Sequence, residues 1–173
     1  MEVRRTRTTD WEELRELRMR ALADAPDAFS STLEEAAALP EAVWREWAEG
    51  GPASVDFLAH EDGLAVGMVA IFVEPSTPGR TQLVAMWVDP RHRRRGIARA
   101  LIDQAVRWSA ELQAREVILW VTDSNTAART LYEQAGFQPT GEREPLPSNT
   151  ALSQSLLRLS LEGFTAAVES EVQ

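Results

Sequence analysis

The chain of 173 residues contains no cysteine and no lysine, a single tyrosine and only two histidines. Without cysteine there is no disulfide framework, no thiolate metal site and no thiol nucleophile. His60 and His92 are too few for a histidine-rich zinc site, so no metal is expected. No stretch approaches the roughly 18 to 20 apolar residues that cross a bilayer, so no membrane partner is expected. The first ten residues, MEVRRTRTTD, are charged and lead into no apolar signal-peptide core. These absences predict a soluble, cytoplasmic protein. The length predicts one domain, 1–173, large enough to bury a core.

All eighteen basic residues are arginine, and the formal net charge is −9. The charge is unevenly spread. From Arg91 to Arg115 seven arginines meet only Asp103 and Glu111, whereas Trp11 to Gly50 is strongly acidic. A basic island in an acidic chain points to a polyanionic ligand held at one place. General nucleic-acid binding through the Arg91–Arg95 run is disfavoured by the acidic remainder and by the lack of interleaved aromatics.

Periodicity supplies the elements. Val3–Arg7 reads as a first strand. Thr9-Asp10 reads as a cap for a helix ending near Asp24, with Trp11, Leu14, Leu17, Arg18, Ala21 and Leu22 at helical spacing. A loop carrying Phe29 follows, then a second helical stretch that restarts after Pro40 with Val43, Trp44 and Trp47 on one face. Ser54–His60 and Leu64–Glu74 read as antiparallel strands, and Thr81–Val88 as a central strand covered on both faces. A helix is expected from Arg95 to Leu112. Glu116–Val121 then forms a strand parallel to Thr81–Val88, because a helix separates the two. A short helix, Ala127–Ala135, closes at Gly136. A strand starts at Phe137, Arg143–Thr150 is a loop, Ser153–Leu161 is the last strand, and 162–173 is a mobile tail.

Two segments carry chemistry. Arg93-Arg94-Arg95-Gly96-Ile97-Ala98 follows a strand and opens a helix. Helix-opening N–H groups lack partners and carry partial positive charge, and small residues keep the backbone approachable, as a pyrophosphate requires. On composition alone the run is equally a solvated turn. A dinucleotide-binding reading is poorer, because alanine stands at the second glycine position and no third glycine follows.

This segment resembles motif A of the GNAT superfamily of acyl-CoA-dependent N-acyltransferases. Arg93, Gly96 and Ala98 fill its fixed positions, and Val88-Asp89-Pro90 fills the preceding turn. Downstream, Asn125 to Phe137 is similar to the family's motif B, with Asn125, Ala128, Leu131, Tyr132, Gly136 and Phe137 in place. The resemblance is strong from Leu83 to Phe137 and rests on element order before that. It implies a mixed α/β fold, with a mostly antiparallel central sheet and a parallel, splayed fourth and fifth strand, flanked by helices.

It also implies acetyl-CoA as co-substrate and an amine as acceptor, with direct attack in a ternary complex. The exposed edge Met86-Trp87-Val88 would pair with the pantetheine arm, and the Val88 N–H would polarise the thioester carbonyl. N–H groups from Arg94, Arg95, Gly96, Ile97 and Ala98 would hold the pyrophosphate, with Arg93 and Arg99 beside them. Asn125 would bond the pantetheine arm, or cap its helix. Tyr132 would be the general acid that protonates the departing thiolate, whose thiol has a pKa near about 8.5 in simple models.

The amine must lose a proton before it attacks. The strand positions where family members often carry a glutamate hold Gln82 and Trp120 here. The substitutes are Glu74, His60, Asp123 and Asp89, or a chain of waters; Glu74 is the base candidate carried forward. Phe29, Glu74 and Trp87 are expected to line the acceptor pocket, while Trp44 and Trp47 read as core. A small-molecule amine is favoured over a protein N-terminus or side chain. A non-catalytic acyl-CoA sensor is the alternative of another class, and a homodimer is compatible with the family.

Overall fold

Strands that alternate and helices that carry one apolar stripe can bury their faces only by stacking in layers. The computed structural model describes residues 1–163 and has that arrangement. Seven strands, β1 (Glu2–Arg5), β2 (Ser54–Glu61), β3 (Leu64–Val73), β4 (Arg80–Val88), β5 (Glu116–Thr122), β6 (Gln138–Leu146) and β7 (Asn149–Ser160), form one sheet. Their order is β1-β2-β3-β4-β5-β7-β6. Only β4 and β5 run parallel; every other neighbouring pair is antiparallel. The fold is the mixed α/β arrangement that the sequence implied.

Each face of the sheet has its own core. On one side α4 (Ile97–Glu111) packs Ile97, Leu101, Ile102 and Ala105 with Val55, Phe57, Val69, Ile71 and Val117. On the other side α1 (Trp11–Asp24), α2 (Leu33–Ala37) and α3 (Glu41–Glu49) pack Leu14, Leu17, Ala36 and Trp44 with Leu58, Met68 and Trp87. The last helix, α5 (Thr126–Gln134), follows β5 and adds Tyr132 to the α4-side core.

Two irregularities shape β4. Pairing with β5 covers only Arg80↔Glu116, Thr81↔Val117 and Gln82↔Ile118, so the strands part from Leu83 onward. Against β3, Met68 pairs with Trp87 and Ala70 with Val84, which leaves Val69 facing two residues, Ala85 and Met86. This is a β-bulge, and Ala85 takes the left-handed conformation (φ 56°) to make it. A non-glycine residue held there is uncommon and is found where a fold re-aims its backbone.

Several expectations are corrected. Arg143–Thr150 is not a loop: β6 runs to Leu146 and turns at Pro147-Ser148 into β7. Pro139 and Pro145 are tolerated because β6 is the sheet's edge and needs no further ladder partner. Asp10 does not cap α1 with its side chain; it turns back to the Arg7 N–H (2.7 Å) and to Arg4 (2.7 Å). The second helical stretch is two helices, the first started by a capping box between Thr32 and Glu35. Trp44 is fully buried, but Trp47 is 41% exposed and meets its ring edge-on at 5.1 Å. The tail expected at 162–173 falls, beyond Gly163, outside the described residues. Among the described residues no helix is long and apolar enough to cross a membrane, and no cluster of three metal-ligating side chains occurs.

Candidate active site

The parting of β4 from β5 opens a backbone edge in the middle of the sheet. Asp89 N donates to Val66 O on the β3 side at 2.8 Å. Successive residues of an antiparallel strand turn their N–H groups to opposite sides, so the Val88 N–H points toward β5, where no strand pairs with it. Val88 O lies on that same side and accepts from Arg93 Nε at 2.9 Å. Trp87 is directed to the opposite layer, where its Nε1 donates to Asp24 Oδ2 at 2.9 Å.

The loop after β4 presents amides. Asp89 is buried and caps a single 3-10 turn by accepting from Arg91 N at 2.9 Å. Bonds from Arg91 and the charge of Arg20 hold its carboxyl well below the usual carboxylate range. Arg94 and Gly96 both take positive φ (61° and 81°) on either side of Arg95, and α4 starts directly afterwards. That alternation turns successive N–H groups inward into a nest, continued by the unpartnered N–H groups of the first turn of α4. The helix therefore starts at Ile97 rather than at Arg95. A Cβ on Gly96 would meet nothing within 4 Å, so the space beside this turn is open.

The arginine side chains are mostly engaged elsewhere. Arg91 pairs with Asp89, Arg93 with Asp24 (2.6 Å), Arg95 with Glu61 (3.2 Å) and Arg99 with Asp103 (2.8 Å). Arg94 alone of these makes no hydrogen bond or ion pair among the described residues. The uncommitted hydrogen-bond donors of this loop are thus mainly its backbone N–H groups.

Asn125 is the N-cap of α5: its side chain accepts from Ala128 N at 3.2 Å. One helical stretch later Tyr132 is buried in the same cluster as Val88 and Ile97, with Met86, Ala98 and Ala128 packed against that cluster. Its ring meets Phe137 edge-on at 5.9 Å. Its hydroxyl has no hydrogen bond among the described residues. Burial raises its pKa, which keeps the phenol protonated and able to donate. The structure thus brings Met86, Val88, Ile97, Ala98 and Tyr132 into one cluster, with Arg93 bonded to Val88 O and Asn125 capping the helix that carries Tyr132; the Trp87 side chain lies on the other face.

Glu74 is not part of this assembly. It follows β3 at the opposite end of β4, where its N–H donates to Arg80 O (2.9 Å) and its carboxylate meets Ser76 and Arg80. Val73 pairs with Thr81, whereas Val88 lies across from Gly67, so most of the strand separates Glu74 from Val88. Hydrogen bonds from Ser76 and Thr77 also lower its pKa, which weakens it as a base. Both expected roles of Glu74, as base and as pocket residue, are corrected on this geometry. Among the other substitutes, Asp89 is committed to arginines, and Asp123 is held by Ser155 (2.5 Å) and Arg143, which lower its pKa. His60 is bonded to Glu13 at 3.0 Å.

Phe29 and Trp87 do lie together, in the buried cluster beneath α1 to α3. The loop carrying Phe29 is tied across the sheet end by Thr122 Oγ1 donating to Asp27 O (2.6 Å), Asn149 Nδ2 donating to Asp27 Oδ1 (3.3 Å) and Ser148 Oγ donating to Phe29 O. This layer also holds two charges, Arg18 in the apolar stripe of α1 and Asp56 on β2. Asp56 sat in the strand SVDFLAH, where Val55, Phe57 and Ala59 face α4, so Asp56, Leu58 and His60 must face α1. An acid at an inward position was the signal available in the sequence. Burial pushes the Asp56 carboxyl up to about 7 against the opposing pull of Arg18, and lowers the pKa of Arg18 itself.

Residues 11–137 match the family model described as acetyltransferase (GNAT) family, and the chain belongs to that family. It is 29% identical over 123 residues to a mycothiol acetyltransferase of Beutenbergia cavernae, covering 71% of this chain and 39% of the relative. It is 36% identical over 89 residues to human N-acetyltransferase 8, covering 50% of this chain and again 39% of the relative. The chain thus spans well under half the length of these curated relatives. Among solved structures, a GCN5-related N-acetyltransferase from Kribbella flavida superposes with a TM-score of 0.76 at 21% identity, covering 92% of this chain and 97% of that one. The Salmonella typhimurium protein yncA, solved with its cofactor acetyl-CoA, superposes with a TM-score of 0.75 at 17% identity, covering 93% of this chain and 94% of that one. At such identities these likenesses establish the fold.

Proposed function

We propose that the protein is an N-acetyltransferase that transfers an acetyl group from acetyl-CoA directly to a primary amine. One observation carries the donor side: the β4 edge left unpaired beyond Gln82 leads straight into an amide nest at the start of α4. An extended amide arm ending in a pyrophosphate fits that sequence of backbone groups, edge first and nest second. The pantetheine arm lies along Met86-Trp87-Val88, and Arg94 to Ala98 hold the phosphates through N–H groups. Arg93 acts indirectly, by fixing Val88 O and Asp24 and so setting the loop.

Val88 N–H bonds the thioester oxygen and stabilises the charge that develops there as the amine nitrogen attacks the carbonyl carbon. The carbon–sulfur bond breaks, and Tyr132 gives its proton to the leaving sulfur. The proton released by the amine restores Tyr132 through solvent. Holding Tyr132 neutral by burial suits it to this role.

A small-molecule acceptor is favoured over a protein side chain or N-terminus, because the ties from Phe29 and Asp27 to β5 and to the β6–β7 turn narrow the acceptor side. The test is an amine panel of amino acids, polyamines, aminoglycosides and peptides, with free thiol as readout. Thermal unfolding with and without acetyl-CoA accompanies it, since a ligand bound only by the native state raises Tm. A rise in Tm without thiol release from any amine would instead support a non-catalytic acyl-CoA sensor.

A further inference from the structure

We propose that Arg18 and Asp56 form the acceptor subsite, and that it takes an amine carrying a carboxylate on the same small molecule, an amino-acid zwitterion. This deepens the acetyltransferase reading and rests on it. Arg18, on α1, lies with its guanidinium 4.7 Å from the centre of the Phe29 ring, and its Nη2 donates to Ser31 Oγ at 3.0 Å. Its Nη1 is buried and has no hydrogen-bond partner among the described residues. A guanidinium locked by an aromatic face and a hydroxyl, with one N–H pair unused, is a preorganised carboxylate receptor.

Asp56 supplies the opposite charge. It faces the same layer, and its carboxylate makes no hydrogen bond or ion pair among the described residues. Arg18 is the charge that acts on it, yet the two form no salt bridge. Opposite charges that are only half-buried and do not close on each other are left incompletely satisfied. A zwitterion placed between them satisfies both at once, with its carboxylate on Arg18 and its ammonium on Asp56.

The location suits transfer. Asp56 pairs with Ala70 on β3, and Ala70 with Val84 on β4, just before the bulge that opens the β4 edge. Two strand spacings separate Asp56 from Val84, about 10 Å, and Val88 lies four residues farther along β4. The side chain between them on β3 is only a methyl group, so the floor is low enough for a small amine to cross. Around Asp56, β1 contributes the uncharged Thr6, which bonds Asp56 O, β3 contributes Ala70, and α1 contributes Arg18. Along β2, His60 is occupied by Glu13. Asp56 therefore orients the ammonium, takes its proton and passes it to solvent, and the neutral amine then crosses Ala70 to reach the β4 edge at Val88.

The experiment uses the full chain, acetyl-CoA and thiol release, with the twenty common amino acids and the C-terminal amide of each. At least one free amino acid should react, with kcat/KM at least about 100-fold above that of its own amide. Arg18→Met should abolish that preference, because the reaction of the acid falls far more than that of the amide. Asp56→Asn should lower kcat and remove the acidic limb of the pH profile near 7. If no free amino acid reacts, or if acid and amide react equally in the wild-type protein, the subsite is wrong, and neither result needs a variant. A rise in Tm with acetyl-CoA in that same case leaves the donor site standing. No such rise and no thiol release with any amine removes the acetyltransferase reading itself.

Discussion

Gly67 stands directly across from Val88 in the β3–β4 ladder, and α4 fills the space its missing side chain leaves. A Cβ at Gly67 would come within 3.1 Å of Leu101 Cδ1, 3.2 Å of Trp87 O and 3.3 Å of Ile97 Cγ2. The helix that opens the amide nest is thus seated on the glycine that stands behind Val88.

Gly67→Ala should therefore act on both stability and donor binding. Trp87 O belongs to the backbone and yields little, so the added methyl must push back Leu101 and Ile97, both on α4. We expect a loss of about 1 to 3 kcal/mol, the usual range for overpacking. The KM for acetyl-CoA should rise, because the nest moves with Ile97. Denaturant unfolding and donor titration measure the two effects separately. An unchanged KM beside a lowered stability would detach the seat of α4 from donor binding.

At Gly96 the constraint is backbone conformation rather than space. Its φ of 81° is one that L side chains rarely adopt, although a Cβ there would touch nothing. Gly96→Ala should cost about 1 kcal/mol or somewhat more of stability. It should also cut the Tm rise given by acetyl-CoA, because the methyl stands in the open space beside this turn. Arg94→Gln is the contrasting variant. If backbone amides hold the phosphates, it should weaken acetyl-CoA only a few-fold, with the loss shrinking as salt is added.

Tyr132→Phe isolates the hydroxyl. That group has no protein partner among the described residues, and the ring keeps its packing on Phe137. Stability should stay within about 0.5 kcal/mol of wild type, as expected where no buried hydrogen bond is broken. Acetyl-CoA should bind as before, while kcat falls on the order of 100-fold or more. Full turnover in Tyr132→Phe would remove the general-acid role.

What the sequence disclosed followed from how local each signal is. The amide nest and the α5 cap are built from contiguous residues, so Arg93 to Ala98 and Asn125 to Tyr132 could be read directly. The parallel β4–β5 pair followed from one intervening helix. Non-local features were hidden. The Ala85 bulge depends on β3 register, and the exchange of a loop for the β6–β7 hairpin depends on edge position, which excuses two prolines. Glu74 failed as a base because strand order, not spacing, puts it at the far end of β4. Arg18 and Asp56 are thirty-eight positions apart in numbering, and nothing in either segment announces that α1 will cover β2.

Asp56 also makes a prediction about stability that is independent of any acceptor. Its pKa rises from 3.8 to about 7 on folding, because burial disfavours the carboxylate more than Arg18 favours it. Between those values the folded chain holds a proton that the unfolded chain has released. The corresponding stability is fully present below about pH 4 and is lost as pH rises through about 7. The carboxyls of Asp10, Asp89 and Asp123 are shifted the other way and change stability only at more acidic pH. Asp56→Asn keeps the shape and removes the titration. Wild-type Tm should therefore fall relative to Asp56→Asn between pH 5 and pH 8. The difference across that window corresponds to at most about 2.5 kcal/mol, or several degrees for a chain of this size. Parallel curves for the two proteins across that window would mean that Asp56 ionises freely in the folded state, and with it would go the reason for an unpaired carboxylate to seek an ammonium partner.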